Sequence, residues 1–418
     1  MSTSAQQVVA KPAKDRRFRV WLAGFLVLGV LLGLVGPLAI AWQYHLDTDP
    51  KLIGLHFLAL NVGYLLAVAI ARPLVTRVSI RLIALIACLV AFASLISLSL
   101  LAPPVPASGR MVGLGFAGVA SGGLITALLH VLESYFGEQV AGAVNRAGLL
   151  FGCGCLISTL TVAAIYFAGS VQIETACLAL VPLIFFFLFA RNHYPAAREP
   201  VYRRKEHAAQ EMLRQVRSVG ALLLSLLLFF QFGNEWAIAG WLPLFLIHRL
   251  GTNPVWAILA LATYFLALMT FRLAAQTLSS RLNGRVLLMG SVVIAMIGYL
   301  LLSLSWNMTA AWIAVVVIAA GFAPIYPLVT ENLDERFSYH PGFYNSLFTI
   351  AITGGMSAQW LLGYIDAFLG VKYVMTVPAL GSIAVFVLAS LILLETHIMG
   401  SRKNQQSVRS ISAAAGKE

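Results

Sequence analysis

The chain is 418 residues long, 60% hydrophobic and only 11% charged, with a mean hydropathy of +0.87. That apolar excess is more than a water-soluble core of this size can hide, so the solvent for most of the chain is a bilayer. The net charge of +12 invites a nucleic-acid reading, but the cations gather on one side of the predicted spans, which matches anionic headgroups instead.

A spanning helix needs about 20 predominantly apolar residues, and twelve segments qualify, at roughly 20–44, 51–72, 81–102, 110–133, 144–168, 173–191, 219–247, 254–275, 284–305, 309–330, 343–369 and 373–395. Strands are excluded, because these runs are about twice the length a barrel strand needs and lack two-residue alternation. The first 19 residues are basic and polar, and the apolar run after them is too long for a signal-peptide core, so an uncleaved cytoplasmic tail is expected. The expected organisation is a tail at 1–19, a six-helix bundle at 20–191, a cytoplasmic linker at 192–218, a second bundle at 219–396 and a cytoplasmic tail at 397–418. Low apolar content predicts disorder from Ser401 to Glu418.

Span two carries Asn61 and Tyr64 near mid-depth. Beyond it, Ala71-x-x-Leu74-x-Thr76-Arg77-x-Ser79-x-Arg81 reappears as Ala275-x-x-Leu278-x-Ser280-Arg281-x-Asn283-x-Arg285, at an offset of 204. Gly142-x-x-Asn145 at the start of span five likewise recurs as Gly342-x-x-Asn345 at the start of span eleven, at an offset of 200. Two matches at nearly one offset indicate duplicated halves, an architecture of transporters.

Span four ends in Thr126, His130 and Glu133 on one face, with Arg146 opening span five across a short loop. His130 and Glu133 are candidates for a proton relay, but Glu133 paired with Arg146 as a gate or structural ion pair is the favoured reading. Cys88, Cys153, Cys155 and Cys177 all fall inside spans. Cys153 and Cys155 project about 200° apart on a helix, so packing is their expected role and no metal site is expected.

Span seven holds the deepest acid, Glu235, with Gln231 one turn earlier and Asn234 adjacent. An intramembrane carboxylate is costly unless paired or facing an aqueous cavity, so Glu235 leads the candidates for ion coupling or solute binding. Gly233 and Gly240 flank it, and glycine-interrupted spans mark transporter sites. Asn61, Tyr64, Gln231, Asn234, Tyr326 in span ten, and Gln359 with Trp360 in span eleven form the candidate solute wall, where amides read hydroxyls and rings pack on apolar faces. Arg272 and Arg72 lie near span ends, where snorkelling or helix-to-helix bridging is the favoured role. Glu331, Asp334 and Glu335 are candidate partners for the loop arginines.

Alternate-side assignment of the 28 Lys and Arg leaves only Lys51, Arg110, Arg249 and Lys372 on one side and the other 24 on the side of the termini. The positive-inside rule puts both termini in the cytoplasm. No phosphate-cradling loop, His-Glu-x-x-His or nucleophile elbow is present, so no enzymatic activity and no cofactor are expected.

The Arg-x-x-x-Arg loops after spans two and eight resemble the cytoplasmic signature of the major facilitator superfamily, and the resemblance covers the whole bundle. It implies twelve helices in two pseudo-symmetric six-helix bundles and alternating access, with Arg77, Arg81, Arg281 and Arg285 clamping the cytoplasmic side; Arg146 and Arg272 are further conformational or gating candidates. Gly233-Asn234-Glu235-Trp236 leading to Gly240-Trp241-Leu242, then Phe271-Arg272-Leu273, Pro324-x-x-Pro327 and Gly354-Gly355, resemble the fucose, galactose and glucose proton-symporter branch. That resemblance implies sugar uptake with a proton, sodium being the alternative ion, across a cell membrane of bacterial inner-membrane type. The sequence departs from it at Leu129, where relatives carry a polar Asn, and in span one, which lacks a central acid. Efflux of amphipathic or lipophilic compounds is the first rival, and a non-transporting receptor on the same fold is the second.

Overall fold

The computed structural model describes residues 16–136, 141–166, 170–192, 219–279, 283–329 and 341–415. All regular structure among them is helical. This is the arrangement hydrocarbon imposes, since a helix satisfies every backbone N–H and C=O within its own segment. Ten helices are long and apolar enough to cross a membrane. An eleventh span is the bent pair Arg17–Gly33 and Val35–Ala41. The twelfth, Pro341–Leu369, is 29 residues long and more polar, because Asn345, Thr349, Thr353, Ser357 and Gln359 lie along it. The chain is therefore a twelve-helix, multi-pass membrane protein.

In chain order, span two is Pro50–Leu74, span three Ile80–Leu100, span four Ala107–Phe136, span five Ala141–Ile165 and span six Val171–Arg191. Spans seven, eight and nine are Val219–Leu250, Pro254–Ser279 and Gly284–Leu304. Span ten runs from Met308 to Val329, span eleven is Pro341–Leu369 and span twelve belongs to the helix Thr376–Ala415. The face of the bundle where span one begins and span twelve ends is called here the terminal face.

Span one is not the continuous helix expected at 20–44. It bends by 44° at Leu34, because Pro37 has no N–H to give and its ring collides with the carbonyl four residues back, at Gly33. Span ten breaks at a turn before Ile325 for the same reason, with Pro324 and Pro327 inside it. Span seven is continuous, so Gly233 and Gly240 do not interrupt it. The last helix continues through Ala415, where disorder was expected. No proline interrupts that stretch, and its Ala, Gln and Arg are strong helix formers. The linker at 193–218 and the acids Glu331, Asp334 and Glu335 lie outside the described residues, as does Arg281.

The duplicated loop motif has a local physical meaning. The Ser79 side chain accepts from the Leu82 N–H at 3.2 Å and starts span three. At the matching position Asn283 accepts from the Arg285 N–H at 3.0 Å and starts span nine. Both are N-caps, satisfying backbone donors that a helix start leaves free. Arg81 does the reverse job: its guanidinium donates to the carbonyls of Phe189 and Ala190 at the end of span six.

The halves meet through glycines on the face opposite the termini. A Cβ on Gly36 would fall on the Ala239 carbonyl, and one on Gly54 would meet the Trp360 carbonyl at 2.7 Å. Span one therefore touches span seven, and span two touches span eleven, at backbone distance, as small residues allow in membranes. Gly36→Ala is expected to cost roughly 1–3 kcal/mol of overpacking, read as a lower unfolding temperature in detergent. Gly290→Ala, in a helix interior and with a Cβ that would meet nothing within 4 Å, should leave that temperature no lower than wild type.

Candidate functional site

Glu235 sits midway along span seven, and Arg272 comes from span eight seven residues before its end. The Arg272 Nη2 donates to Glu235 Oε1 at 2.8 Å, with the two side chains only 6% and 10% exposed. Taking each ion out of water costs several kcal/mol, so neither charge is tolerable at this depth without the other. The Tyr326 ring lies under the guanidinium, 5.7 Å from its carbon, adding a cation–π contact. Gln231 turns toward the same carboxylate without closing a well-formed hydrogen bond. Glu235 Oε2 and Arg272 Nε are buried and accept or donate no hydrogen bond of normal geometry. Arg272 thus bridges helices rather than snorkelling to the interface, because span seven presents an acid within its reach.

The pair closes one end of a cavity with about 60 Å³ of room for solvent. Span one contributes Phe25, Leu28 and Leu32 to the wall, span four Ile125, Leu129 and Leu132, and span five Gly148 and Phe151. Spans seven and eleven add Phe232, Trp236, Phe348 and Ile352. Apart from Leu32, just past the middle of span one, these positions lie in the halves of spans one, four, five and eleven nearest the terminal face. A smaller cavity of about 10 Å³ adjoins the pair, lined by Cys155, Ala239, Tyr264 and Leu268 among others. It has room for a single water at most. Phe151, Glu235, Trp236 and Arg272 line both spaces, and so form the partition between them.

The structure brings together some sequence candidates and separates others. Glu235, Arg272 and Tyr326 share the cavity. Asn234 turns away into the second half, its Nδ2 facing Ser382 Oγ at 3.5 Å and its carbonyl accepting from the Tyr299 hydroxyl. Gln359 and Trp360 belong to the packed face opposite the termini, where the Trp241 indole donates to the Gln359 carbonyl at 3.0 Å. Asn61 and Tyr64 are buried in span two, and the Tyr64 backbone lies against Gly118 and Gly122 of span four. None of these five lines the cavity.

His130 Nδ1 bonds the Thr126 carbonyl at 2.8 Å. The Thr126 hydroxyl accepts from Asn345 Nδ2 at 3.2 Å, so this Asn of the repeated motif ties the halves together. Arg72 donates to Ser346 at 3.1 Å across the same seam. The Glu133 side chain lies outside the described residues, so the expected pair with Arg146 does too. Arg77, Arg146 and Arg285 are exposed. Sequence reading missed the aromatic wall, although Phe232, Glu235 and Trp236 stand at i, i+3 and i+4, the spacing of one helix face.

Removing one ion should be far worse than removing both. Arg272→Met leaves a buried carboxylate and is expected to cost roughly 3–5 kcal/mol, whereas Glu235→Leu combined with Arg272→Met should recover most of that loss. Thermal unfolding of the purified proteins checks this, and a double variant as unstable as the two single losses added would show that the pair is not coupled.

The family model described as Major Facilitator Superfamily matches residues 20–359. Among solved structures, the E. coli fucose:proton symporter FucP resembles the chain at 16% identity and a TM-score of 0.64, over 90% of this chain and 98% of that one. A D-xylose-proton symporter matches at 13% identity and a TM-score of 0.73, over 90% and 96%. The nucleoside transporter NupG matches at 11% and 0.69, over 91% and 99%. No curated protein sequence matches. The helix count, the duplicated halves and a match over most of the chain agree: this protein belongs to the Major Facilitator Superfamily of transporters.

Proposed function

We propose that the chain is a proton-coupled secondary transporter for a small organic solute, working by alternating access of its two halves around the Glu235–Arg272 site. The observation that carries the reading is the buried ion pair at the end of a cavity between the halves. An intramembrane carboxylate that can exchange its partner for a proton links ion binding to a change in local charge. The excess of Lys and Arg at the terminal face supports cytoplasmic termini, and with that orientation the cavity lies in the cytoplasmic half.

Sugar symport is the sharper form, supported by the fucose:proton and D-xylose-proton symporters among the fold's neighbours. Aromatic rings such as Phe151, Trp236 and Tyr326 in the wall suit the apolar face of a sugar ring. A second reading, transport of amphipathic compounds, is favoured by one observation. Leu28, Leu32, Ile125, Leu129 and Leu132 fill positions on the wall, where a sugar reader would place amides and hydroxyls.

Proteoliposomes containing a pH-sensitive dye separate these readings when challenged with monosaccharides, nucleosides and amphipathic dyes. A solute of the right class is expected to drive proton movement, and Glu235→Gln is expected to keep binding while losing coupled flux by about tenfold or more. Coupled transport by Glu235→Gln at the wild-type rate would return Glu235 to a structural role. Binding of a solute without any flux would favour a receptor.

A further inference from the structure

Charge balance in the cavity restricts the solute more tightly than its shape does. Resting on the reading of Glu235 as the coupling acid, we propose that the transported solute is a small organic monoanion with an apolar body, its acidic group held by Arg272 once Glu235 is protonated.

Glu235 and Arg272 are the only charged side chains among the described residues of the wall. With the acid ionised their charges sum to zero. Protonation of Glu235 removes the acceptor at 2.8 Å and leaves a guanidinium that is 5% exposed with no counter-charge. An isolated buried cation costs several kcal/mol, and an entering carboxylate or sulfonate removes that cost. The guanidinium is suited to it: its fork of five donors matches the two oxygens of such a group, and its Nε already lacks a partner.

Among the described residues no other group in the neighbourhood takes over the role. The titratable side chains around Glu235 are Cys155 from span five, Tyr264 from span eight, Tyr299 from span nine and Tyr326 from span ten. All are uncharged when protonated and none is a cation able to hold an anion. Gln231 on the same helix does not titrate, and spans one, four and eleven present apolar residues.

Coupling then follows from electrostatics. The empty site is neutral, and so is the site holding a proton and a monoanion together. A site holding only one of them carries a net charge, which resists enclosure in a low-dielectric bundle. Proton and anion therefore cross together and the cycle is electroneutral. A neutral sugar offers no charge to replace the lost carboxylate. The six aromatic side chains Phe25, Phe151, Phe232, Trp236, Tyr326 and Phe348 accept the apolar body.

Benzenesulfonate is the probe, because it stays ionised and does not leak through lipid as a neutral acid; benzenesulfonamide is its uncharged isostere. Calorimetry on the wild-type protein should give benzenesulfonate binding tighter at a pH of about 5.5 than at about 8, with no such dependence for the sulfonamide. Glu235→Gln should bind benzenesulfonate equally well at both pH values, and Glu235→Leu with Arg272→Met should lose the preference for the anion. In proteoliposomes an inward acid gradient should drive benzenesulfonate accumulation that a clamped membrane potential does not alter. Equal affinity of Glu235→Gln for the sulfonate and the sulfonamide overturns the inference. If sulfonate does not bind while a neutral sugar drives proton flux, the solute class is wrong and the coupling role of Glu235 stands. If sulfonate binds as expected but no proton gradient moves it, the coupling role fails.

Discussion

A carboxylate and a guanidinium placed in hydrocarbon must find each other, and much of this structure follows from that necessity. Glu235 and Arg272 come from adjacent helices of the second half and meet at 2.8 Å. The cavity they face is walled by both halves, with spans one, four and five opposite spans seven, ten and eleven. A pair buried in a static core would be weak evidence of anything but specificity, since well-packed apolar residues often stabilise as much. A pair at the border of two spaces, with one carboxylate oxygen and one guanidinium nitrogen lacking partners, has unused bonding capacity aimed at whatever enters.

The means by which the halves close differ between the two faces. Opposite the termini the seal is made by backbone contact at Gly36 and Gly54, which leaves no room for water and depends on the absence of side chains. Toward the terminal face the contacts are side-chain hydrogen bonds, Asn345 to Thr126 and Arg72 to Ser346. Each of these is worth about 1 kcal/mol, so they can be exchanged with water at small cost. The asymmetry suits a bundle that holds one face shut by packing while the other is held by exchangeable bonds.

The twelve spans, their duplication and the place of the loop motifs were legible because each rests on local rules: hydrocarbon length, repeat offset and helix capping. Ser79 and Asn283 are readable as a pair from their spacing alone, and the structure shows both starting helices. The depth of Glu235 was legible for the same reason. What was not legible is which way a side chain points around its helix relative to a neighbour's. Gln359 and Asn234 have the chemistry of solute readers, yet one packs over Gly240 and the other beside Gly381. Arg272 is near a span end, where a long side chain can reach outward or inward, and only the three-dimensional neighbour decides. The break in span one at Leu34 was readable from Pro37, since the clash with the fourth preceding carbonyl is local.

The composition of the wall completes the argument about selectivity. Leu129 lines the cavity at the position where the resembling symporters are expected to carry a polar side chain, and the amides Asn61, Asn234 and Gln359, expected to read hydroxyls, are buried elsewhere. A hydrophobic wall discriminates weakly, at about 1–3 kcal/mol per methylene, whereas a buried polar group left unpaired by the wrong solute penalises it far more. In the proposed reading, discrimination in this site rests on its one charged element, the ion pair. Under the proposed mechanism, the apolar surface would admit a range of bodies of suitable size, and the ion pair would decide which chemical group they must bring.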